Sequence, residues 1–88
     1  MKNKQKTIKV VVQGLGFVGS AMATAIAMRS NESLKYDVTG IDLPTKVGKE
    51  RIDSVNSGIF PFKTNDKKLT TELKKAVSCG NLKADSDH

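Results

Sequence analysis

The stretch Val10-Val11-Val12-Gln13-Gly14-Leu15-Gly16-Phe17-Val18-Gly19, VVVQGLGFVG, decides the fold. A β-branched run, Thr7 to Gln13, reads as a strand, and its near-continuous apolar character suits one covered on both faces. Three glycines follow at G-x-G-x-x-G spacing, and a helix is expected from Gly16 or Phe17 to about Arg29. In it Val18, Met22 and Ile26 recur at i, i+4, i+8, flanked by Ala21, Ala25 and Met28, as one apolar stripe. Ala21, Ala23, Ala25 and Ala27 are small enough to let that helix lie close to a sheet.

Working outward, Ser30 to Ser33 reads as a loop and Leu34 to Asp42 as the second strand, centred on Tyr36 to Ile41. Pro44 fits the first turn of a helix from about Thr45 to Ser57, with Ile52, Val55 and Ile59 on one side. Gly58 suits a left-handed C-terminal cap, and Ile59 to Phe62 an apolar turn. A third helix, Lys68 to Ser78, buries Leu69, Leu73, Ala76 and Val77 and is capped by Gly80. Asn81 to Asp87 reads as a short third strand. The order β-α-β-α-α-β predicts an α/β fold, a partial Rossmann with a three-stranded parallel sheet and helices packed on it. Residues 1–6 read as a disordered basic tail and 7–88 as the N-terminal half of the domain.

Bulk properties narrow the function. A chain of 88 residues makes one small domain. The lone Cys79 excludes an internal disulfide, and with the single His88 it leaves no Cys/His metal site. Cys79 reads as a free thiol in a reducing compartment. No apolar run nears the ~20 residues of a membrane span, and no signal-peptide core precedes the first strand, so a cytoplasmic protein is expected. The net charge is +6, but the cations are scattered among acids and never interleave with aromatics, which argues against nucleic acid.

The glycines carry the chemistry. Gly14 permits a sharp turn, Gly16 lets a pyrophosphate approach backbone, and Gly19 lets the helix pack on the strand. The N–H groups of about Leu15 to Val18 are expected to point outward as an anion site at the positive end of the helix dipole. Asp42 lies 23 residues after Gly19, at the tip of the second strand, where a carboxylate accepts the adenosine-ribose hydroxyls and repels the extra phosphate of NADP. These readings point to NAD. Plainer alternatives are a corner that binds nothing and an Asp42 that only caps a turn. Lys46 and Arg51 are candidates for the same ribose or the adenine edge, or else ordinary exposed charges.

VVVQGLGFVGSAMATAIA, YDVTGIDL, RIDSVNSGIFPF and LTTELKKAVSCGNLKADSD together resemble the N-terminal segment of the UDP-glucose/GDP-mannose dehydrogenases, from Ile8 to Asp87. G-x-G-[FY]-V-G is fairly specific, and N-S-G-I-F-P-F followed by a Leu-rich helix and G-N-L-K-A is more so. The resemblance implies an NAD-binding Rossmann domain of enzymes that oxidise a sugar-nucleotide C6 alcohol to a carboxylate with two NAD, for polysaccharide biosynthesis. It implies that Gly14, Leu15, Gly16, Phe17, Val18 and Gly19 form the pyrophosphate turn, Asp42 is the ribose acid, and Arg51 is a basic residue near the ribose. The longer PTKVGKE gap lets Lys46 replace Arg51, and Gln13 departs from the small or apolar residue usual before the first glycine. The family's catalytic Cys, with its Lys, Asn and Asp, lies beyond position 88, and Cys79 does not match it. A truncated piece without dehydrogenase activity of its own is therefore expected, with the nucleotide sugar bound only by a longer protein. Alternatives are a stand-alone adenine-nucleotide module and a similar first βαβ of another NAD-dependent dehydrogenase, such as a 3-hydroxyacid dehydrogenase. With a neighbour missing from the first strand, the Ile8 to Gln13 edge is expected to be open and to form homo-oligomers.

Overall fold

A computed structural model describes residues 5–86. The elements run β1 (Lys6–Gln13), α1 (Phe17–Ala27), β2 (Leu34–Asp42), α2 (Lys46–Asn56), α3 (Lys67–Ser78) and β3 (Leu82–Ser86). The strands form one parallel sheet in the order β1-β2-β3, with Val10 opposite Val38 and Val38 opposite Leu82. This is the partial Rossmann arrangement expected from the alternation. Of the tail 1–6, residues 1–4 lie outside the described residues. Gln5 donates to the Asn31 carbonyl at 2.7 Å, and Lys6 already belongs to β1. Asp87 and His88 also lie outside.

One face of the sheet carries the core. Val12, Val38, Leu82 and Ala84 are buried on it, with Leu15, Ala23, Ala27, Leu73 and Ala76 packed from the turn, α1 and α3. The expectation that β1 is covered on both faces fails, because Val11 on the reverse face is 61% exposed and Ile8 is 43% exposed. α2 packs toward β3 and β2, with Val55 in the same core as α1 and α3.

The apolar stripe expected on α1 holds only in part: Ala21, Ile26 and Met28 pack against the core, but Val18, Met22 and Ala25 do not. Val18 is 72% exposed and Met22 52% exposed, while Ser20, Ala23, Thr24 and Ala27 face the core. The two hydroxyls tolerate burial because each is satisfied locally. Ser20 Oγ donates to the Leu15 carbonyl at 3.0 Å and Thr24 Oγ1 to the Ser20 carbonyl at 2.9 Å. The small face wins because it brings the helix axis closer to the sheet than Val18 and Met22 would allow. α1 also stops at Ala27, short of Arg29, as Met28 takes the cap position.

The other ends follow local chemistry. Thr45 caps α2 by accepting from Gly48 N–H at 3.1 Å, so Pro44 precedes the helix instead of lying in its first turn. Asp66 caps α3 by accepting from Leu69 N–H at 3.0 Å. Gly58 and Gly80 hold positive φ of 77° and 79° as the expected left-handed caps. Ile59 is 61% exposed and leaves the Ile52–Val55 side of α2, because the chain turns after Gly58. No helix among the described residues is long and apolar enough to cross a membrane.

The two sheet edges differ. At β3, Asn56 donates to the Ala84 carbonyl at 3.0 Å and accepts from Ala84 N–H at 2.8 Å. One amide side chain thus satisfies both outward groups of an edge residue. At β1, strand alternation turns the N–H and C=O groups of Thr7, Lys9 and Val11 away from β2. Asn56→Ala removes both Ala84 partners and is expected to lower stability by about 1–3 kcal/mol. Urea titration of the two proteins measures it, and a loss under ~0.5 kcal/mol would show that water replaces the amide.

Candidate functional site

The glycine turn sits at the C-terminal end of β1. Gly14 has φ +93°, and its N–H donates to the Ile41 carbonyl at 2.7 Å, the last rung before the chain leaves the sheet. Gly19 faces back onto this turn. A Cβ at Gly19 would collide with the Gly14 carbonyl oxygen, so a side chain there cannot coexist with the close seat of α1. Gly16 is different. Its backbone is extended (φ −65°, ψ −176°), and a Cβ built there meets no protein atom within 4 Å. The space it faces is open.

Gly16 is the N-cap of α1, and no side chain caps that end. No acidic residue lies in the first turn. The N–H groups of Gly16, Phe17 and Val18 carry no hydrogen bond among the described residues. They form a donor set at the positive end of the helix. Leu15 is not part of it, contrary to expectation: its N–H donates to Asp42 Oδ2 at 3.0 Å. Its side chain is fully buried against Gly40 of β2. The sequence signal for this was Gly40, a glycine within a strand, where a neighbour approaches closely.

Asp42 ends β2 beside the turn, and its carboxylate is held from both sides. Oδ2 accepts from Leu15 N–H, Oδ1 accepts from Leu43 N–H at 2.8 Å, and the Arg51 guanidinium lies 3.6 Å from Oδ2. Each carboxylate oxygen has two acceptor sites; after the backbone bonds Oδ1 keeps one, and Arg51 stands at the other side of Oδ2. Burial pushes the Asp42 carboxyl up, but the Leu43 and Leu15 hydrogen bonds and the Arg51 charge outweigh it, so its pKa is lowered. Asp42 is therefore a carboxylate at neutral pH.

The structure brings Arg51, on α2, to Asp42. Lys46 is the first residue of α2, exposed and without an ion pair among the described residues. Arg51 is also held from behind, its Cζ 5.2 Å from the centroid of the Phe62 ring. Phe62 belongs to an aromatic trio with Phe60, of the same apolar turn, and Phe17, of the glycine turn. Phe17 meets Phe60 edge-on at 5.2 Å and Phe62 at 5.8 Å, and Phe60 and Phe62 are 6.2 Å apart. The segment after α2 thereby clasps the first residue of α1.

Cys79 lies elsewhere. It is exposed at the C-cap of α3, beside a cavity of about 180 Å³ that Ala27, Met28, Ser30, Lys75, Ala76 and Asn81 also line, at the far end of α1 from the glycine turn. Among the described residues no group of three or more His, Cys, Asp or Glu is placed to hold a metal.

A glycine turn off a parallel strand, an uncapped helix N-terminus and an acid at the tip of the adjacent strand define a dinucleotide-binding βαβ unit. Residues 8–88 match the family model for the NAD-binding domain of the UDP-glucose/GDP-mannose dehydrogenase family, and the chain belongs to that family. The cofactor of that domain is NAD. A UDP-N-acetyl-D-mannosamine dehydrogenase of Methanocaldococcus jannaschii is 32% identical over 75 residues, 85% of this chain and 15% of that protein. One from Methanococcus aeolicus is 34% identical over 82 residues, 92% of this chain and 16% of that protein. The fold superimposes on a GDP-mannose dehydrogenase ternary complex from Pseudomonas aeruginosa with TM-score 0.71 and 25% identity, covering 91% of this chain and 16% of that one. For an NDP-N-acetyl-D-galactosaminuronic acid dehydrogenase from Methanosarcina mazei the TM-score is 0.75 at 26% identity, covering 89% and 16%. The chain thus spans about 15% of the length of the curated relatives it matches.

Asp42→Asn tests the carboxylate's part in folding. Because the folded pKa lies below the ordinary 3.8, ionised Asp42 contributes stability that is present above that pH and is lost as pH falls through the folded value. The stability difference between native protein and Asp42→Asn should therefore be constant above about pH 5 and shrink below 3.8. Urea midpoints across pH measure this, and a difference independent of pH would refute it.

Proposed function

We propose that residues 7–88 form the N-terminal half of an NAD-binding Rossmann domain and bind the adenosine and pyrophosphate of NAD for a nucleotide-sugar 6-dehydrogenase. The reading is supported most by one observation: N–H groups of Gly16, Phe17 and Val18 that carry no hydrogen bond among the described residues lie beside the Asp42 carboxylate, whose Oδ1 keeps an acceptor site. Gly14, Leu15, Gly16, Phe17, Val18 and Gly19 make the pyrophosphate turn. In it Gly14 and Gly19 set the geometry, and Leu15 ties the turn to Asp42. Asp42 accepts the two ribose hydroxyls, and Arg51, in preference to Lys46, stands at the ribose edge.

NAD supplies the hydride acceptor. The whole protein's reaction would take a UDP- or GDP-sugar C6 alcohol, with water and two NAD, to the carboxylate, two NADH and three protons. Curated relatives make UDP-N-acetyl-D-mannosamine the first substrate to test. The chain's own residues bind and orient one end of the cofactor, and none is assigned to catalysis. A cytoplasmic place in polysaccharide biosynthesis follows from the same reading.

Calorimetric titration of the chain tests it. NAD and AMP should bind with similar affinity and NADP more weakly. Gly16→Val, at a position whose angles suit any residue and whose Cβ meets no protein atom, should keep the fold and lose pyrophosphate binding. No binding of NAD or AMP at millimolar ligand would overturn the proposal.

The same reading predicts association. Val11, Ile8, Phe17, Val18 and Met22 are exposed around an uncapped β1 edge, whereas β3 is closed by Asn56. In a complete doubly wound sheet a further strand covers β1. By itself the chain should form a homodimer or larger assembly through that edge. Light scattering at tens of micromolar checks this, with a monomer as the contrary result.

A further inference from the structure

We propose that Asn56 and Asp85 close the β3 edge to strand addition, so that this chain associates with a second copy only through β1 and stops at a two-fold pair. The inference rests on the β1-edge reading above and goes beyond it in fixing which surfaces meet. A parallel sheet of order β1-β2-β3 has two different edges. Were both open, the β1 edge of one copy would receive the β3 edge of the next in parallel, and each addition would present a fresh edge. Contacts of that head-to-tail kind grow into filaments unless a ring closes.

The β3 edge is not open. Val38 N–H donates to the Asn81 carbonyl at 2.9 Å, so strand alternation turns the backbone groups of Leu82, Ala84 and Ser86 outward. Asn56 of α2 accepts from Ala84 N–H at 2.8 Å and donates to its carbonyl at 3.0 Å. Asp85 Oδ1 accepts from Ser86 N–H at 2.8 Å. Leu82 and Ala84 are only 3% and 8% exposed, so their backbone is covered. At β1, Thr7, Lys9 and Val11 are exposed, and no side chain among the described residues holds their outward groups. The strand edge that a second copy can offer β1 is therefore its own β1. Two β1 strands meet antiparallel about a two-fold axis, and the doubled sheet ends in a closed β3 on each side.

Light scattering of the chain across about a tenfold range of concentration reads the outcome. Native protein should level off at the mass of a dimer. Asn56→Ala, which frees both backbone groups of Ala84, should keep gaining mass and at least double its average over that range. Adding Asp85→Ala should increase the growth. Adding Val11→Pro to Asn56→Ala should abolish it, because Val11 directs its N–H away from β2 and proline there blocks the β1 edge alone. Asp66→Ala, which destabilises through the cap of α3 instead of an edge, should keep the native mass.

Should Asn56→Ala fail to fold, hydrogen exchange of the native chain decides. Slowing with concentration should occur at the amides of Thr7, Lys9 and Val11 and be absent from Leu82, Ala84 and Ser86. A native protein that stays monomeric refutes the β1-edge reading and takes this proposal with it. A native dimer whose Asn56→Ala variant is also a dimer overturns this proposal alone. So does unlimited growth of the native chain, growth that survives Val11→Pro, equal growth in Asp66→Ala, or concentration-dependent protection at β3.

Discussion

The hydrogen bond from Leu15 N–H to Asp42 ties the glycine turn to the tip of the second strand, and the site is arranged around it. Leu15 lies between the two positions that matter most. On its N-terminal side Gly14 takes the chain out of β1 at positive φ, and on its C-terminal side Gly16 begins α1. Fixing Leu15 therefore fixes where the helix starts and which way its first N–H groups point. The side chain of the same residue is buried against Gly40, one rung from the strand end. Backbone and side chain of one leucine thus lock the turn to β2 through a polar and an apolar contact.

The close seat of α1 explains how the sequence spends its small residues. Gly19 accepts the Gly14 carbonyl where a Cβ would not fit, and Ser20, Ala23, Thr24 and Ala27 continue the same narrow face. A face this thin buries little apolar area, so the core depends on Leu15, Val38, Val55, Leu73 and Leu82 from other elements. Larger side chains on α1, Val18 and Met22, are left on the outside together with Val11 of β1. The exposed apolar residues are therefore a consequence of how the turn is built as well as of an uncovered sheet edge.

Much of this was legible in the sequence, for identifiable reasons. Alternating strands and helices, the glycine caps at Gly58 and Gly80 and the acid at Asp42 each follow from local rules of dihedral preference and spacing. The inward face of α1 was legible only in part: Ala23 and Ala27 stand among the small residues that suit a close seat on a sheet, but counting apolar residues also favours the exposed Val18 and Met22. Serine and threonine hide their polarity by bonding to carbonyls four or five residues back. The Asn56 clasp on Ala84 joins residues 28 apart in sequence, and only the packing of α2 beside β3 brings them together. The Phe17–Phe60–Phe62 cluster was hidden for the same reason. Its members look like a helix start and a turn until the fold brings the three rings together, with Phe62 under Arg51.

Charge at the site is arranged to attract one anion and limit another. The N-terminus of α1 has no acid in its first turn, so its donors face open space with nothing to neutralise them. At the strand tip the balance is reversed. Burial pushes the Asp42 carboxyl up, but two backbone N–H groups and Arg51 stabilise the anion and bring its pKa below the ordinary value. The N-terminus of α1 is thus electropositive and the tip of β2 electronegative, side by side across the Leu15–Asp42 hydrogen bond. An adenosine diphosphate moiety with free ribose hydroxyls matches this order of charges, and a ligand phosphorylated at the ribose does not. The stacking of Arg51 on Phe62 gives the cation a resting place of its own, so its position does not depend on the carboxylate alone.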